Sequence, residues 1–318
     1  MARPRVAVII PTYNRGSRIV ATVESVLAQG DALGRVIVVD DGSTDDTPER
    51  MRLLAGRVEY LRKDNGERGA ARNAGARLAN EPFLCFLDSD DRILPGHLDA
   101  ALSAFAANPH AVAVYSDVIM EDDLQRIVGT RRGARVPGFR HGEPVTSLIA
   151  NYDNCLLAQG ATVYRRSAFE SVRGFREDRE LAGSEDFELN VRLLAKAAYV
   201  SSGSLTFGYR VHDGNTFGNL SQSTRCIRTS VQLIGANPEL SRFSPLFPRM
   251  RAFAELQLAA VHLAAGDFPG CRQRLFEAAA HAAEVVSTVR FATLATRCAL
   301  GRRGNQLLRG LKRAYRHP

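Results

Sequence analysis

The chain has 318 residues, a hydrophobic content of 45%, a charged content of 24% and a formal net charge of +8. These values are ordinary for a globular protein, and the length allows one large α/β domain with a helical appendage. No apolar run reaches the roughly 20 residues that a membrane-spanning helix needs. Because the first residues lead straight into a short predicted strand, we expect no signal peptide and a cytoplasmic protein.

Cysteine spacing and charge distribution exclude further classes. The five cysteines are odd in number, widely spaced and without a Cys-x-x-Cys pair, which argues against a disulfide framework and a zinc site. The excess positive charge lies in residues 224–318, and the rest of the chain is close to neutral. This basic segment could serve either as a contact to anionic lipid or as a solvated surface. We expect no nucleic-acid partner.

Strands and helices alternate over the first 115 residues. Predicted strands cover 5–10, 35–39, 58–61, 83–87 and 111–115, and predicted helices cover 17–29, 70–78 and 97–107, with a further helix start at 44–49. This alternation is typical of βαβ units, so the fold class is predicted to be α/β with a mainly parallel, Rossmann-like central sheet.

The rest of the chain changes character twice. Residues 120–160 are predicted to be an irregular loop that is either mobile or substrate-facing. Strands at 160–164 and 205–211 flank a helix that runs from Ser184 to about residue 197. After about residue 219 the pattern is helical only. We therefore predict a nucleotide-binding and catalytic domain over 1–218 and a basic, all-helical C-terminal extension over 219–318. The last helix, 294–315, is either a peripheral membrane contact or a helix packed on the protein.

Polar clusters follow three of the predicted strands. They are Thr12-Tyr13-Asn14, Asp40-Asp41 and Asp88-Ser89-Asp90. Because the carboxyl ends of parallel strands meet at one edge of a sheet, these clusters predict a single ligand site there. Asp88 and Asp90 form an Asp-x-Asp pair whose carboxylates can converge on a hard cation. The alternative is a solvated turn, and Asp91 is expected to start the next helix.

Five motifs in order resemble those of the family 2 glycosyltransferases, which are inverting enzymes with a GT-A fold. The motifs are Pro11-Thr12-Tyr13-Asn14-Arg15, Val38-Val39-Asp40-Asp41-Gly42-Ser43-Thr44-Asp45, Gly69-Ala70-Ala71-Arg72-Asn73-Ala74-Gly75, Asp88-Ser89-Asp90-Asp91 and Glu185-Asp186. The resemblance covers residues 4 to about 215. The chain has no Trp and no Gln-x-x-Arg-Trp signature, so it is a poor match to the processive, membrane-spanning polymerases of the family.

The resemblance implies a set of donor-binding residues. It places the nucleotide sugar against Pro11, Thr12, Tyr13, Asp41, Gly69, Arg72, Asp88 and Ser89. Asp41 would accept a hydrogen bond from a uracil-type imide, whereas Asp40 is expected to serve only the turn at Gly42. Arg72 would contact the nucleotide, and Asp88 would accept from the ribose.

The resemblance also implies a metal site and a catalytic base. Asp90 would bind Mn²⁺ or Mg²⁺, and His212 would contact that ion or the diphosphate. Asp186 matches the family's base, and Glu185 competes for that role. Because adjacent helix residues point about 100° apart, only one of the two is expected to face the cleft.

The expected function is inverting, metal-dependent transfer of a single sugar. The donor is a nucleoside diphosphate sugar, with UDP favoured, and the acceptor is a hydroxyl on a glycan, lipid-linked intermediate or protein. Cell-envelope polysaccharide or glycoconjugate synthesis is the process that the family most often serves. Two alternatives stay open: a non-catalytic sugar-nucleotide-binding scaffold, and a nucleotidyltransferase, which the absence of a Gly-rich phosphate loop after the first strand disfavours.

Overall fold

The computed structural model describes residues 4–132, 144–152, 158–211 and 219–314. The chain divides into two compact units. The first comprises Met1–Val145 and Asn154–His212, and the second comprises Thr146–Asp153 and Asp213–Pro318. His212, the predicted contact to the metal ion or the diphosphate, belongs to residues 212–218, which lie outside the described residues.

The described residues form nine strands and eleven α-helices. The strands are β1 Val6–Thr12, β2 Leu33–Asp40, β3 Glu59–Arg62, β4 Phe83–Phe86, β5 Arg92–Ile93, β6 Ala113–Glu121, β7 Ile127–Arg131, β8 Thr162–Arg165 and β9 Tyr199–Arg210. The helices are α1 Gly16–Leu27, α2 Thr47–Arg52, α3 Glu67–Leu78, α4 His97–Ala107, α5 Pro144–Asn151, α6 Arg166–Ser171, α7 Glu185–Leu194, α8 Leu220–Ala236, α9 Phe247–Ala264, α10 Phe268–His281 and α11 Val289–Ala314.

All strands of the first unit belong to one mixed sheet. The strand order is β3-β2-β1-β4-β8-β6-β9-β5, and β7 pairs with β6. The pairings of β1 with β2 and β4, of β2 with β3 and of β6 with β9 are parallel, while β5, β7 and β8 run antiparallel to their neighbours. Most strands therefore share one direction, which confirms the predicted α/β fold with a mainly parallel sheet.

The central strands are buried because helices cover the sheet. Every residue of β1 and of β4 is buried, as expected for strands inside a parallel sheet. Thr12 and Asp40 pair in register at the ends of β1 and β2, so the polar residues that follow these strands emerge side by side. The next polar loop follows β4, which is the other neighbour of β1.

Helix α3 packs unusually close to the sheet at Gly75. A Cβ atom at this position would lie 2.4 Å from Cγ2 of Ile9 and 3.1 Å from Cγ2 of Val39. These distances leave no room for a side chain between α3 and strands β1 and β2. The glycine therefore sets how closely α3, and every residue on its buried face, approaches the sheet.

The second unit is helical throughout its described part. Buried apolar side chains of α8 to α10, such as Ile227, Leu258 and Cys271, form its interior. Most of α5 belongs to this unit, since residues Thr146–Asp153 are part of it. Tyr152, which directly follows α5, contacts α8: its hydroxyl lies 2.6 Å from the hydroxyl of Ser230. The predicted all-helical C-terminal extension is confirmed.

The prediction of an irregular segment over 120–160 is wrong in its described parts. These parts include the β6–β7 hairpin and α5, and α5 was missed because its short apolar pattern lies among Gly, Pro and Arg residues. Residues 133–143 and 153–157 lie outside the described residues.

Within the described ranges, none of the helices is both long enough and apolar enough to span a bilayer. Helix α11 is interrupted at Gly301, where φ is 62°. The side chains from residue 305 onward lie outside the described residues, so the peripheral membrane contact of this helix stays a prediction.

We predict that Gly75→Ala destabilises the protein although alanine favours a helix more than glycine does. The added methyl group overpacks the contact with Ile9 and should lower the free energy of unfolding by about 1–3 kcal/mol. Urea unfolding measures this effect. The matched control is Gly235→Ala on α8, where the nearest atom to an added Cβ is 3.9 Å away; an equal loss in both variants would contradict this account.

Candidate active site

The centre of the site is a buried arginine that joins two distant carboxylates. Arg72 on α3 is 1% exposed. Its Nη1 donates to Oε1 of Glu185 at 2.5 Å, and its Nη2 donates to Oδ1 of Asp88 at 2.6 Å. The guanidinium also lies over the ring of Phe175, with 5.2 Å between Cζ and the ring centroid. One side chain thus connects the loop after β4 to the start of α7.

All three members of this cluster are charged. Burial alone would lower the pKa of Arg72, but the carboxylates of Asp88 and Glu185 raise it above its usual value. Burial alone would raise the pKa of each carboxyl group, but Arg72 lowers both. The cluster is therefore a carboxylate–guanidinium–carboxylate triad, in which each charge compensates for the desolvation of its neighbours.

The predicted nucleotide contact of Arg72 stays a prediction, and the structure shows the partners of this side chain within the protein. Both terminal nitrogens of the guanidinium are bound to Asp88 and Glu185, and the side chain is almost fully buried. The Ala-rich sequence around Arg72 on α3 did not allow this burial to be predicted. The structure makes Arg72 a residue that holds the site together.

Asp186 lies beside the triad at the first turn of α7. It is partly exposed, whereas Glu185 is 3% exposed. Oε2 of Glu185 also accepts from the Gly183 amide at 2.5 Å, so both of its oxygens are engaged. Burial and the negative charge of Glu185 raise the pKa of Asp186 to about 7, against the opposing effect of Arg72. A carboxyl group with this pKa can accept a proton near neutral pH.

The loop after β4 is hydrogen-bonded to α1 and carries two partly exposed aspartates. The side chains of Asp88 and Asp90 are 36% and 21% exposed. Ser89 is buried, and its carbonyl oxygen accepts from the Thr22 hydroxyl at 3.1 Å. Because Ser89 contributes this internal contact, the two aspartates on either side of it are fixed in place.

The expectation that Asp91 starts a helix is wrong. The two-residue strand β5 follows it, and the next helix, α4, begins at His97. Asp91 is 5% exposed, and its Oδ1 accepts from the Arg210 amide at 2.8 Å. This bond anchors the acidic loop to the end of β9, where the chain leads to His212.

The end of β1 supplies an exposed aromatic ring and an unsatisfied hydroxyl. Pro11 is buried inside β1, and Tyr13 is 48% exposed. The buried Oγ1 of Thr12 has no hydrogen-bond partner among the described residues. Asn14 adopts a positive φ of 52°, and its Oδ1 accepts from the Thr44 amide at 2.8 Å. The loops after β1 and β2 are thereby bound to each other.

The two aspartates after β2 have different surroundings. Asp40 accepts from the Ser43 amide at 2.8 Å and from the Tyr60 hydroxyl at 2.6 Å, which confirms its expected role in the turn. Oδ1 of Asp41 accepts from Nζ of Lys63 at 2.6 Å and from the Gly66 amide at 2.9 Å. Oδ2 of Asp41 has no such partner within the described ranges, so it can accept from a ligand.

Gly69 allows a close approach to the protein's own backbone. A Cβ at this position would lie 2.5 Å from the carbonyl oxygen of Arg176. Four residues later, the Asn73 amide nitrogen donates to the Phe175 carbonyl at 2.9 Å, and its oxygen accepts from the Phe175 amide at 3.0 Å. The close contact with Arg176 explains why residue 69 is a glycine, and no ligand is needed for this explanation. The hydrogen bonds of Asn73 fix α3 against the segment that precedes α7.

Two arginines of the site were not among the predicted residues. Nη2 of Arg15 lies 3.7 Å from Oδ2 of Asp90. Arg68 lowers the pKa of both Asp88 and Glu185. Both residues lie in or next to motifs that the sequence analysis singled out, and their charge at an acidic loop is the signal that could have identified them. Positive charge at this position suits a diphosphate.

The acidic loop fits a divalent cation that is completed by other ligands. In the described part of the chain, no three His, Cys, Asp or Glu side chains are grouped as a ready metal site. Mg²⁺ commonly uses one or two carboxylates together with waters and substrate phosphates, and Mn²⁺ accepts the same oxygen donors. The partly exposed carboxylates of Asp88 and Asp90 meet this requirement.

Solved structures resemble this chain over most of its length. The mannosyltransferase PcManGT from Pyrobaculum calidifontis, in complex with GDP-Man and Mn²⁺, gives a TM-score of 0.60 at 20% identity and covers 93% of this chain and 84% of its own. S. aureus TarS 1-349 in complex with UDP-GlcNAc gives 0.57 at 18% identity and covers 87% of this chain and 91% of its own. At these identities the likeness concerns the fold, which is GT-A-like.

Sequence comparison gives the family. Validoxylamine A glucosyltransferase of Streptomyces hygroscopicus subsp. jinggangensis is 30% identical in an alignment of 268 positions that covers 74% of this chain and 63% of that protein. The succinoglycan biosynthesis protein ExoU of Rhizobium meliloti is 30% identical in an alignment of 202 positions that covers 61% of this chain and 58% of that protein. The chain thus spans less than two thirds of these relatives. The sequence model of Glycosyl transferase family 2 matches residues 7–173, more than half of the chain, and the protein therefore belongs to this family.

Proposed function

We propose that this glycosyltransferase moves a single sugar from a UDP-linked donor to an acceptor hydroxyl with inversion of the anomeric carbon. The observation that carries the proposal is the pairing of a partly exposed Asp186, whose pKa is about 7, with a fixed acidic loop. Arg72 connects the two through Glu185 and Asp88. A base and a diphosphate site are thus held in one rigid arrangement.

The residues after β1 and β2 bind the nucleotide in this proposal. The exposed ring of Tyr13 offers a stacking surface for a base. Oδ2 of Asp41 accepts from the imide N–H of uracil, and the Thr12 hydroxyl finds its missing partner on the ligand. TarS, which has a similar fold, is known in complex with UDP and with UDP-GlcNAc, and this supports the choice of donor class.

The acidic loop and its neighbouring cations hold the diphosphate. Asp90 would bind the divalent ion, with Asp88 toward the ribose and His212 as a further proposed ligand. When bound, Mn²⁺ or Mg²⁺ would act as a Lewis acid on the leaving diphosphate. Arg15, close to Asp90, adds a permanent positive charge to the same region.

The reaction is a single displacement that needs one base. The acceptor oxygen forms a bond to the anomeric carbon, the bond from that carbon to the diphosphate oxygen breaks, and Asp186 takes the acceptor proton. Glu185 is not available for this step because both of its oxygens are hydrogen-bonded inside the protein. Because Asp186 is the one base assigned to this step and no protein side chain forms a bond to the sugar, the displacement inverts the anomeric carbon.

The acceptor belongs to polysaccharide or glycoconjugate assembly in this proposal. Relatives named for succinoglycan biosynthesis and as chondroitin synthase support this class. A non-catalytic scaffold would have no use for a carboxyl group poised near pH 7, and a nucleotidyltransferase would require a phosphate loop after β1 that the chain lacks there.

Asp90→Ala should abolish Mn²⁺-dependent binding of UDP while leaving the protein folded, because it removes a carboxylate that faces the diphosphate. Isothermal titration calorimetry with UDP, in Mn²⁺ and in EDTA, measures this effect. The control is Asp31→Ala, an exposed aspartate far along the chain from the acidic loop. Undiminished Mn²⁺-dependent affinity in Asp90→Ala would remove Asp90 from the metal site.

Asp186→Asn should lower turnover by roughly 10²–10⁴-fold, the usual contribution of a positioned base, while donor affinity changes by no more than a few-fold. Release of UDP from a panel of UDP-sugars with a glycan acceptor measures turnover. Glu185→Gln is the comparison, and it should weaken the protein's stability more than Asp186→Asn does, since it breaks a buried ion pair. A larger loss of turnover in Glu185→Gln, in a fully folded protein, would exchange the two roles.

Activity should depend on pH with a midpoint near the Asp186 pKa of about 7. Because the base works in its deprotonated form, kcat/KM should rise as the pH increases through this value and fall tenfold per pH unit well below it. Glu185→Gln should move the midpoint to lower pH, since the charge of Glu185 raises the pKa of Asp186. A wild-type midpoint near pH 4 would contradict the assignment.

A further inference from the structure

The helical unit contains a pocket that the proposed reaction does not use. The pocket has a volume of about 440 Å³ and is lined by α8, α9 and the end of α10. This volume is within the range of small-molecule sites. All of its lining residues follow residue 173, so they lie outside the segment that the family model matches.

The floor of the pocket is apolar. Ile227 on α8 and Leu258 on α9 are fully buried, and Ala254 is 4% exposed. Val231, one turn after Ile227, is half-buried at the same wall. An apolar group of a ligand would be removed from water on this floor, which is favourable. The side chains of the floor carry no polar atom that the ligand would leave without a hydrogen bond.

The rim of the pocket is basic. Arg228, Arg251 and His281 are exposed at its edge. Across the described ranges, neither Arg228 nor Arg251 makes a hydrogen bond or an ion pair within the protein, so their donors are available to a ligand.

Two arginines near the pocket are paired with carboxylates. Arg274 donates to Glu255 at 3.1 Å, and Arg249 lies 3.8 Å from Glu284. Glu255 is the one acidic residue that lines the pocket, and its carboxylate is bound to Arg274. The pocket therefore carries, above an apolar floor, two guanidinium groups without a hydrogen-bonding partner in the described ranges. Burial raises the pKa of the Glu255 carboxyl group, and Arg228 lies close enough to act on that pKa in the opposite direction.

We propose that this pocket binds an anionic amphiphile, a molecule with a phosphate or carboxylate group on an apolar body. The forked donors of Arg228 and Arg251 would bind the anion, since a guanidinium matches phosphate and carboxylate oxygens. Ile227 and Leu258 would contact the apolar body. A neutral apolar ligand would leave both charges unused, and a free inorganic anion would leave the floor exposed to water.

The test is calorimetric titration of the full chain with hexyl phosphate, inorganic phosphate and hexanol. Hexyl phosphate should bind with one molecule per chain, at least about tenfold more tightly than either fragment, because it uses both the rim and the floor. Equal affinity for hexyl phosphate and inorganic phosphate would overturn the amphiphile assignment.

Variants locate the binding to this pocket. Arg228→Gln and Arg251→Gln should each weaken hexyl phosphate binding by about tenfold or more and leave the UDP affinity unchanged. The matched control is Arg225→Gln, an exposed arginine of the same helix that does not line the pocket. Wild-type affinity in both pocket variants would overturn the proposal.

Two natural sources have this chemistry, a membrane lipid and a soluble amphiphile. Co-sedimentation with vesicles of phosphatidylcholine and phosphatidylglycerol separates them once hexyl phosphate binding is established. Loss of vesicle binding in the Arg228→Gln, Arg251→Gln double variant identifies a lipid headgroup, and unchanged vesicle behaviour identifies a soluble ligand.

Discussion

The structure of the site depends on one buried charge. Arg72 cannot be solvated where it lies, so it must be paired, and Glu185 and Asp88 are the partners. A buried guanidinium that lost either partner would leave an uncompensated charge in the interior. The chain is therefore constrained to bring together three segments, of which those with Arg72 and Glu185 lie 113 residues apart in sequence. This constraint places the acidic loop and helix α7, which carries Asp186, in a fixed relation.

The packing around α3 determines where the guanidinium group of Arg72 lies. Gly75 lets α3 approach β1 and β2, and Gly69 lets the start of the helix touch the backbone of Arg176. Asn73 makes two hydrogen bonds to Phe175 across the same contact. Small residues and one amide thus fix the helix from both sides, so that Arg72 needs no movement to reach its partners. A preorganised site of this kind avoids a reorganisation cost during reaction.

The sequence revealed the parts of the fold and site that depend on local patterns. Buried strands followed by polar residues are visible along the chain, and they predicted the sheet, the acidic loop with Asp88 and Asp90, and the turn role of Asp40. The burial of Arg72 was not predictable, because the Ala-rich α3 has no contrasting polar face and its partner Glu185 is 113 residues away. Asp91 was misassigned for the same reason: its partner is the Arg210 amide, 119 residues later. Long-range pairings of buried charges leave no mark in local spacing.

The most direct measurement is a double-mutant cycle on Arg72 and Glu185, read as the urea unfolding free energy of the wild type, Arg72→Met, Glu185→Gln and the double variant. If Arg72 holds the site together through this ion pair, each single change leaves a buried group unpaired. The double variant should then lose at least about 1 kcal/mol less than the sum of the two single losses, as expected for residues in contact. Additive losses, within about 0.5 kcal/mol, would contradict a direct coupling between α3 and α7.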